Sequence, residues 1–511
     1  MNSGEEITSD RVFDRVSKGD LVTDADYVVI GTGPSGATAA RVLSEAGYEV
    51  AMIEEGRWIR TDEFDGKSFS AQKNCFREIG TVAAIGKNII PVIQGRCVGG
   101  GSIINSAIIW RMPHDVFERW TSEFGIGDAL AWEALEAAFD IIESDLNIKP
   151  VSEQVMGRNS TLMLEGANKL GISSRVISRN ERGCQGLAQC LTGCPIKAKQ
   201  TVDLNYVTWS LEKGARLYHS CRAELIKVKG GRARSVIASF EDPLTGESRG
   251  SLIVHARKGI VVCATPVQTP CLLWRSGIGL SSGHLGKHFF AHPGQALICV
   301  YPDEVRLWEG ATQGWESEHF RKEWKVKFET LGMRLDLLSS RIPGVGAEFK
   351  KNVLEARYMG NVGCAVVCQA EGKVRPLGKR ASISYGLGKE DVYNLRRGLK
   401  KIAEIMVAAG AEYIIPNIYG LPPKLGKDEI NKIDEAPLDP RSYTMIMAHL
   451  FGTCRMGPDP KKSVVGTDFQ VHDTLGVFIL DSSIFPTNLG VNPQHTIMAF
   501  SHVGAKKIAH Q

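Results

Sequence analysis

The sequence contains no run of roughly 20 apolar residues, so no membrane-spanning helix is expected. It also lacks a basic start followed by an apolar stretch; Met1 to Asp10 is polar and acidic. That start gives no secretory signal, and the expected location is cytoplasmic, with export alongside a signal-bearing partner left open. No lysine- or arginine-rich block occurs, and the formal net charge is only +4 over 511 residues. Such a balance offers no polyanion-binding face, so nucleic acid is not an expected partner. Internal repeats and low-complexity linkers are lacking as well.

What is present is ordinary for a globular chain: 43% hydrophobic and 23% charged residues. The length exceeds one ordinary core, which implies two domains, not necessarily continuous in sequence. In so large a chain without a secretory signal, 12 cysteines do not read as a disulfide framework. Most read as small buried hydrophobes, Cys364 and Cys368 among them.

Asp26 to Ile30 is a short β-branched run and reads as a buried parallel strand. Gly31-Thr32-Gly33-Pro34-Ser35-Gly36 follows, then a helix over Ala37–Ala46 stopped by Gly47. Tyr48 to Ile53 is a second strand, ending in Glu54. In such a unit Gly31 permits the tight turn, Gly33 lets backbone approach a pyrophosphate, and Gly36 lets helix and strand pack closely. The helix start, at Pro34 and Ser35, supplies N–H groups and positive dipole to phosphate. Glu54 is placed to accept hydrogen bonds from a ribose diol, and an acid there disfavours the 2′-phosphate of NADP. The unit therefore predicts a dinucleotide site without separating FAD from NAD.

Gly95-Arg96-Cys97-Val98-Gly99-Gly100-Gly101-Ser102-Ile103-Ile104-Asn105 is the next landmark. Its consecutive glycines allow close backbone approach to a flat or anionic ligand, and Asn105 can offer its amide. Ala131 to Asn147 has apolar residues at helical spacing. Then Cys184, Cys190 and Cys194 stand in a C-x5-C-x3-C-P pattern. Thiolates so spaced on a loop can converge on a soft metal, and three of them suit a three-iron (3Fe–4S) cluster better than tetrahedral zinc. The alternative is a compact cysteine loop packed in the protein.

Beyond this loop, Ile196 to Gly214 reads as a helix. A β-meander follows through Arg216–Ser220, Glu224–Lys229, Ser235–Glu241 and Ser251–Val254, then a buried strand at Gly259–Ala264. His288 and His292 read as turn and packing residues. Ala296–Tyr301, Trp324–Phe328 and Tyr358–Ala370 suggest strands, and Lys389–Gly410 an amphipathic helix.

Near the C-terminus His449 precedes Gly452-Thr453-Cys454-Arg455-Met456-Gly457. An imidazole can take a proton from an alcohol because its pKa lies close to working pH. Leu475–Leu480 reads as a strand ending in Asp481, and Asn492-Pro493 precedes a helix over Gln494–Ile508. On residues alone, Asn492 is either an N-cap or an amide offered to a ligand. The helix start at Thr496 and Ile497 can stabilise negative charge nearby.

Together the opening unit, the Gly-Arg-x-x-Gly-Gly-Gly-Ser-x-x-Asn segment and the two C-terminal segments resemble the glucose–methanol–choline (GMC) oxidoreductase family. The resemblance implies an α/β fold: a Rossmann-like FAD-binding domain interleaved with an α+β substrate domain built on an antiparallel sheet. The division it implies is 25–294 for the FAD-binding domain with the cysteine loop 184–195, 295–446 for the substrate domain, and 447–511 for the return carrying catalytic segments. It implies His449 as the base that accepts an alcohol proton, Asn492 as the amide that orients the oxygen, and Asp481 near the FAD pyrophosphate or ribityl chain. His495 is near Asn492 but is not the matching residue. Some relatives attach flavin to a histidine near the glycine run; Ile103 and Ile104 stand here, so non-covalent FAD is expected. Two features need separate comment. The cysteine loop is similar to the cluster loop of membrane-linked sugar dehydrogenases of the family, and also to cysteine loops with no assigned cluster. Ala264-Thr265-Pro266 departs from the family's Ala-Gly-Ala.

The expected activity is oxidation of a CH–OH group to a carbonyl by hydride transfer to flavin N5. The acceptor is either O2 or a cytochrome or quinone partner, and a cluster would favour an electron-acceptor protein. The alternative is a flavin-binding member without turnover, or one with hydroxynitrile lyase-type chemistry. Which small-molecule alcohol is oxidised is not legible.

Overall fold

The computed structural model describes residues 10–15 and 20–511. Most of the polar segment Met1 to Asp10 lies outside the described residues. Two eight-stranded sheets organise the rest. The first contains β1 (Val12–Phe13), β2 (Asp20–Ile30), β3 (Val50–Ile53), β4 (Arg216–Tyr218), β5 (Cys221–Lys229), β6 (Arg232–Glu241) and β7 (Ser248–Val262). Their spatial order is β1-β4-β3-β2-β7-β6-β5. Helix α1 (Pro34–Glu45) connects β2 to β3, and small side chains let it lie close on the sheet.

Register explains why this sheet makes a site. Ile30 pairs in parallel with Ile53 and with Val262, and Val262 pairs with Ile479 of the short strand Val477–Ile479. Gly31, Glu54, Ala264 and Asp481 therefore leave the sheet along one edge, beyond the carboxyl ends of parallel strands, where open α/β sheets bind ligands. The meander strands β5 and β6 are antiparallel to each other, as are β6 and β7.

The second sheet is antiparallel throughout and centres on β8 (Phe290–Val300), β9 (Val326–Thr330) and β10 (Met359–Val366). Helix α2 (Lys389–Ala408) covers one face with a stripe of buried residues, including Leu395, Leu399 and Ile402. Strand β11 (Ile446–Phe451) pairs with β8 next to a register irregularity between Ala291 and Pro293. The chain then returns through Val477–Ile479, labelled β12, to α3 (Gln494–Ala509), which packs on α1. The expected Rossmann-like and antiparallel layers are both present.

Two local expectations are corrected. The stretch 196–202 is not helical; helical turns begin only at Asp203. Its backbone is held instead by the Lys199 ammonium, which donates to the carbonyls of Ile103, Asn105 and Cys190, and by Val202 N–H bonding Ser102 Oγ. The two strands read at 251–254 and 259–264 are one strand, β7, whose register shifts between Ala256 and Gly259. Among the described residues no helix is long and apolar enough to cross a membrane.

Candidate active site

A cavity of about 560 Å³ lies between the two sheets. Gly31, Gly33, Pro34, Ser35, Glu54, Gly100, Gly101, Asn105 and Asp481 line it, and so do His449, Asn492 and Pro493. Gly36, Arg96, Ser102 and Thr496 do not. Gly36 acts by packing: a Cβ there would stand 1.9 Å from the carbonyl oxygen of Gly31. Arg96 turns toward Glu55, 3.5 Å from its carboxylate. Ser102 bonds the Gly99 carbonyl, and Thr496 is fully buried.

At the glycine end the inward-facing groups are backbone. A Cβ on Gly101 would meet no atom within 4 Å, and one on Gly33 only the Gly100 Cα at 3.9 Å. Open space thus faces both residues, and the helix start at Gly33 has no side-chain cap. Unpaired N–H groups of this kind suit a pyrophosphate. Glu54 is buried and accepts from Thr32 N–H at 3.0 Å and Gly56 N–H at 2.9 Å, which aims its carboxylate along the cavity edge. Burial raises its pKa against those hydrogen bonds. The side-chain amide oxygen of Gln94, Oε1, is buried in the wall without a partner. These groups fit the ADP portion of FAD. Thr265 takes φ 80°, the left-handed conformation that normally selects glycine, and its N–H donates to Asp481 at 3.0 Å. The departure from Ala-Gly-Ala therefore keeps the backbone turn, at a conformational cost for threonine.

The other end is built from side chains. His449 on β11 and His292 on β8 face each other across the paired strands, with their Nδ1 atoms 3.2 Å apart. Gly490 N–H donates to His292 Nε2 at 3.1 Å. The neutral His292 proton is thus on Nδ1, where it donates to His449, leaving the His449 proton on Nε2. Burial lowers the His449 pKa to about 4, opposed by Glu329 and aided by Lys327. The imidazole is neutral at working pH, but it is a weaker base than an ordinary histidine.

Asn492 accepts from Lys327 Nζ at 2.5 Å. Glu329 and Gln313, both in the cavity wall, bond each other at 3.0 Å. Burial works against the Glu329 charge, but the Lys327 ammonium outweighs it and holds the carboxyl below its usual range. Lys327, Glu329 and Gln313 had no assigned role in the sequence, and His292, read there as a turn or packing residue, instead meets His449. The available signal was a lysine and a glutamate alternating with apolar residues in the buried strand Val326–Thr330. His495 is elsewhere, fully buried against Phe139.

The cysteine loop does not form the expected metal site. Among the described residues no group of three or more His, Cys, Asp or Glu side chains could hold a metal ion. Cys184, Cys190 and Cys194 are free and border a separate void of about 20 Å³. Arg179 donates to Cys190 Sγ at 3.3 Å, the Lys199 ammonium to the Cys190 carbonyl at 2.8 Å, and the Lys199 backbone N–H to Cys194 Sγ at 3.5 Å. Burial opposes ionisation of Cys190, yet Arg179 and Lys199 together bring its pKa down. At Cys184 burial, aided by Glu181, outweighs the Gly186 N–H and Arg179 and pushes the thiol up to about 11. The compact-loop alternative is the one the geometry supports.

Family models of the GMC oxidoreductase match residues 25–294 and 370–501. An uncharacterized GMC-type oxidoreductase of Mycobacterium tuberculosis is 33% identical, over 94% of this chain and 75% of its own length. A long-chain-alcohol oxidase of Arabidopsis thaliana is 26% identical over 100% of this chain and 69% of its own. The 2-methyl-1,2-propanediol dehydrogenase of Mycolicibacterium austroafricanum is 25% identical over 93% of each. Pyridoxine 4-oxidase superposes with a TM-score of 0.72 at 18% identity, covering 95% of this chain and 99% of that one. Formate oxidase gives 0.73 at 15%, covering 96% and 99%. The chain belongs to the GMC oxidoreductase family, and the shared fold is that of its flavoenzymes.

Proposed function

We propose that this protein binds FAD non-covalently and oxidises an alcohol CH–OH group to a carbonyl. One observation carries the reading: His449 and Asn492 line the same cavity as the glycine backbone that fits the dinucleotide. FAD bound there would supply the hydride acceptor, its N5. Gly31, Gly33, Gly100, Gly101 and Glu54 would hold the nucleotide; Asp481, Asn105 and Pro493 would flank the remainder. Ile104 in the wall has no nucleophilic atom, which supports non-covalent binding. Asn492 donates its amide N–H to the alcohol oxygen and orients it. His449 takes the hydroxyl proton: the substrate O–H bond breaks and an imidazole N–H forms. Its only lone pair is engaged by His292, so base action requires the 3.2 Å contact to open as alcohol enters.

Anaerobic mixing of the flavin-loaded protein with octanol, benzyl alcohol, glycerol and glucose tests the reading. At least one is expected to bleach the flavin, and His449→Ala is expected to retain FAD while slowing bleaching by roughly two to four orders of magnitude. An unchanged rate in that variant refutes the base assignment. Absence of bleaching by any alcohol favours a member without turnover or with lyase-type chemistry. Reoxidation in air against a cytochrome or quinone then assigns the electron acceptor.

A further inference from the structure

Lys327 is 3% exposed, yet it points its ammonium into the wall beside the reacting groups. It reaches Asn492 Oδ1 at 2.5 Å, Glu316 Oε2 at 3.0 Å and the Glu329 carboxylate, and it lies 4.3 Å over the Trp110 ring. An ammonium has three protons and no acceptor: it donates hydrogen bonds to Asn492 and Glu329 and forms an ion pair with Glu316. Glu316 is itself held by Arg175 at 2.8 Å, which leaves two buried anions beside two cations. Replacing or moving Lys327 would strand carboxylates away from water.

Asn492 is the one neutral partner of Lys327. A donor-only neighbour can bond only the amide oxygen, which settles which way the amide points. Oδ1 faces the lysine, and the NH2 group is left as the donor available to the cavity. Accepting from a cation also polarises the amide and strengthens its N–H bonds as donors.

We propose that Lys327 is a positioning residue: it locks Asn492 with its NH2 toward the alcohol oxygen and strengthens that donor as the oxygen loses its proton. This deepens the alcohol-oxidation reading and rests on it. Negative charge grows on the oxygen as His449 takes the proton, and a donor fixed in advance favours that state over the neutral alcohol.

The test uses the flavin-loaded protein and the panel alcohol that bleaches it fastest, mixed anaerobically. Asn492→Ala and Lys327→Met are each expected to lower the limiting bleaching rate about tenfold to a hundredfold, with the alcohol dissociation constant moving less than about threefold. The double variant is expected to be no slower than Asn492→Ala alone, because the lysine acts through the amide. Where Lys327→Met fails to fold, Lys327→Met/Glu329→Gln keeps the buried charges balanced and gives the same reading. A normal rate with Lys327→Met, or a double variant slowed by the product of the single effects, overturns the positioning role. A normal rate with Asn492→Ala instead removes the amide's role and the proposal with it while alcohol oxidation stands, whereas absence of bleaching by any alcohol removes the reading beneath the proposal.

Discussion

At the glycine end of the cavity, the groups turned inward are backbone atoms of Gly33, Gly100 and Gly101, with Glu54 held by its neighbours Thr32 and Gly56. At the histidine end, the inward groups are side chains from four separated segments: Gln313, Glu329 on β9, His449 on β11 and Asn492 before α3. The first end depends on the absence of Cβ atoms in two short glycine segments, at 31–36 and 99–101. The second depends on long-range register and on a neutral balance of buried charges. Local sequence can encode the first; only a completed fold can assemble the second.

Substitutions at the two ends should fail differently. His449→Ala has the largest expected effect, on chemistry rather than binding, and is read as slow bleaching of a protein that keeps its flavin. Gly36→Ala comes next. Its Cβ would meet the Gly31 carbonyl at 1.9 Å, an overpacking expected to cost about 1–3 kcal/mol or more. That defect should appear in melting temperature and bound flavin. If Gly36→Ala binds FAD normally and melts normally, the tight helix–strand packing is not what shapes this end.

Acidity sharpens the contrast further. Burial keeps His449 neutral down to about 4, so its lone pair is not lost when pH falls from 7 toward 5. Bleaching at saturating alcohol should then change less than about twofold across that window, and fall only as pH nears 4. A histidine at the ordinary 6.5 would lose about tenfold between pH 7.5 and 5.5. A tenfold loss would show that the imidazole is solvated in the loaded enzyme. The smallest expected effect is at the cysteine loop. Cys184→Ser should leave bleaching within about twofold, with iron and sulfide absent from the parent protein. Stoichiometric iron that disappears in the variant would reinstate a cluster.

Several features were legible from residue order alone. The glycine unit 31–36 followed by Glu54 predicted a strand edge facing a ligand, because φ > 0 and close approach select glycine locally. The strand read at Trp324–Phe328 lies at Val326–Thr330, and the helix read at Lys389–Gly410 spans Lys389–Ala408. For the cysteine loop the sequence left a cluster and a compact loop both open, since spacing permits convergence but does not compel it. Arg179 and Lys199 are buried there with hydrogen bonds to Cys190. Stretch 196–202 misled because a buried ammonium bound its carbonyl neighbours and displaced the helix.

By itself the sequence determined the glycine turn and many of the helices and strands, because those follow from periodicity and from backbone conformations that few residues allow; the layers and the family came from the resemblance of its motifs. Tertiary structure alone decided that His292 engages His449, that Lys327 bonds Asn492, and that the Cys190 thiol meets Arg179. Those outcomes depend on burial, which makes each unpaired charge or donor costly and so forces partners distant in the chain to meet.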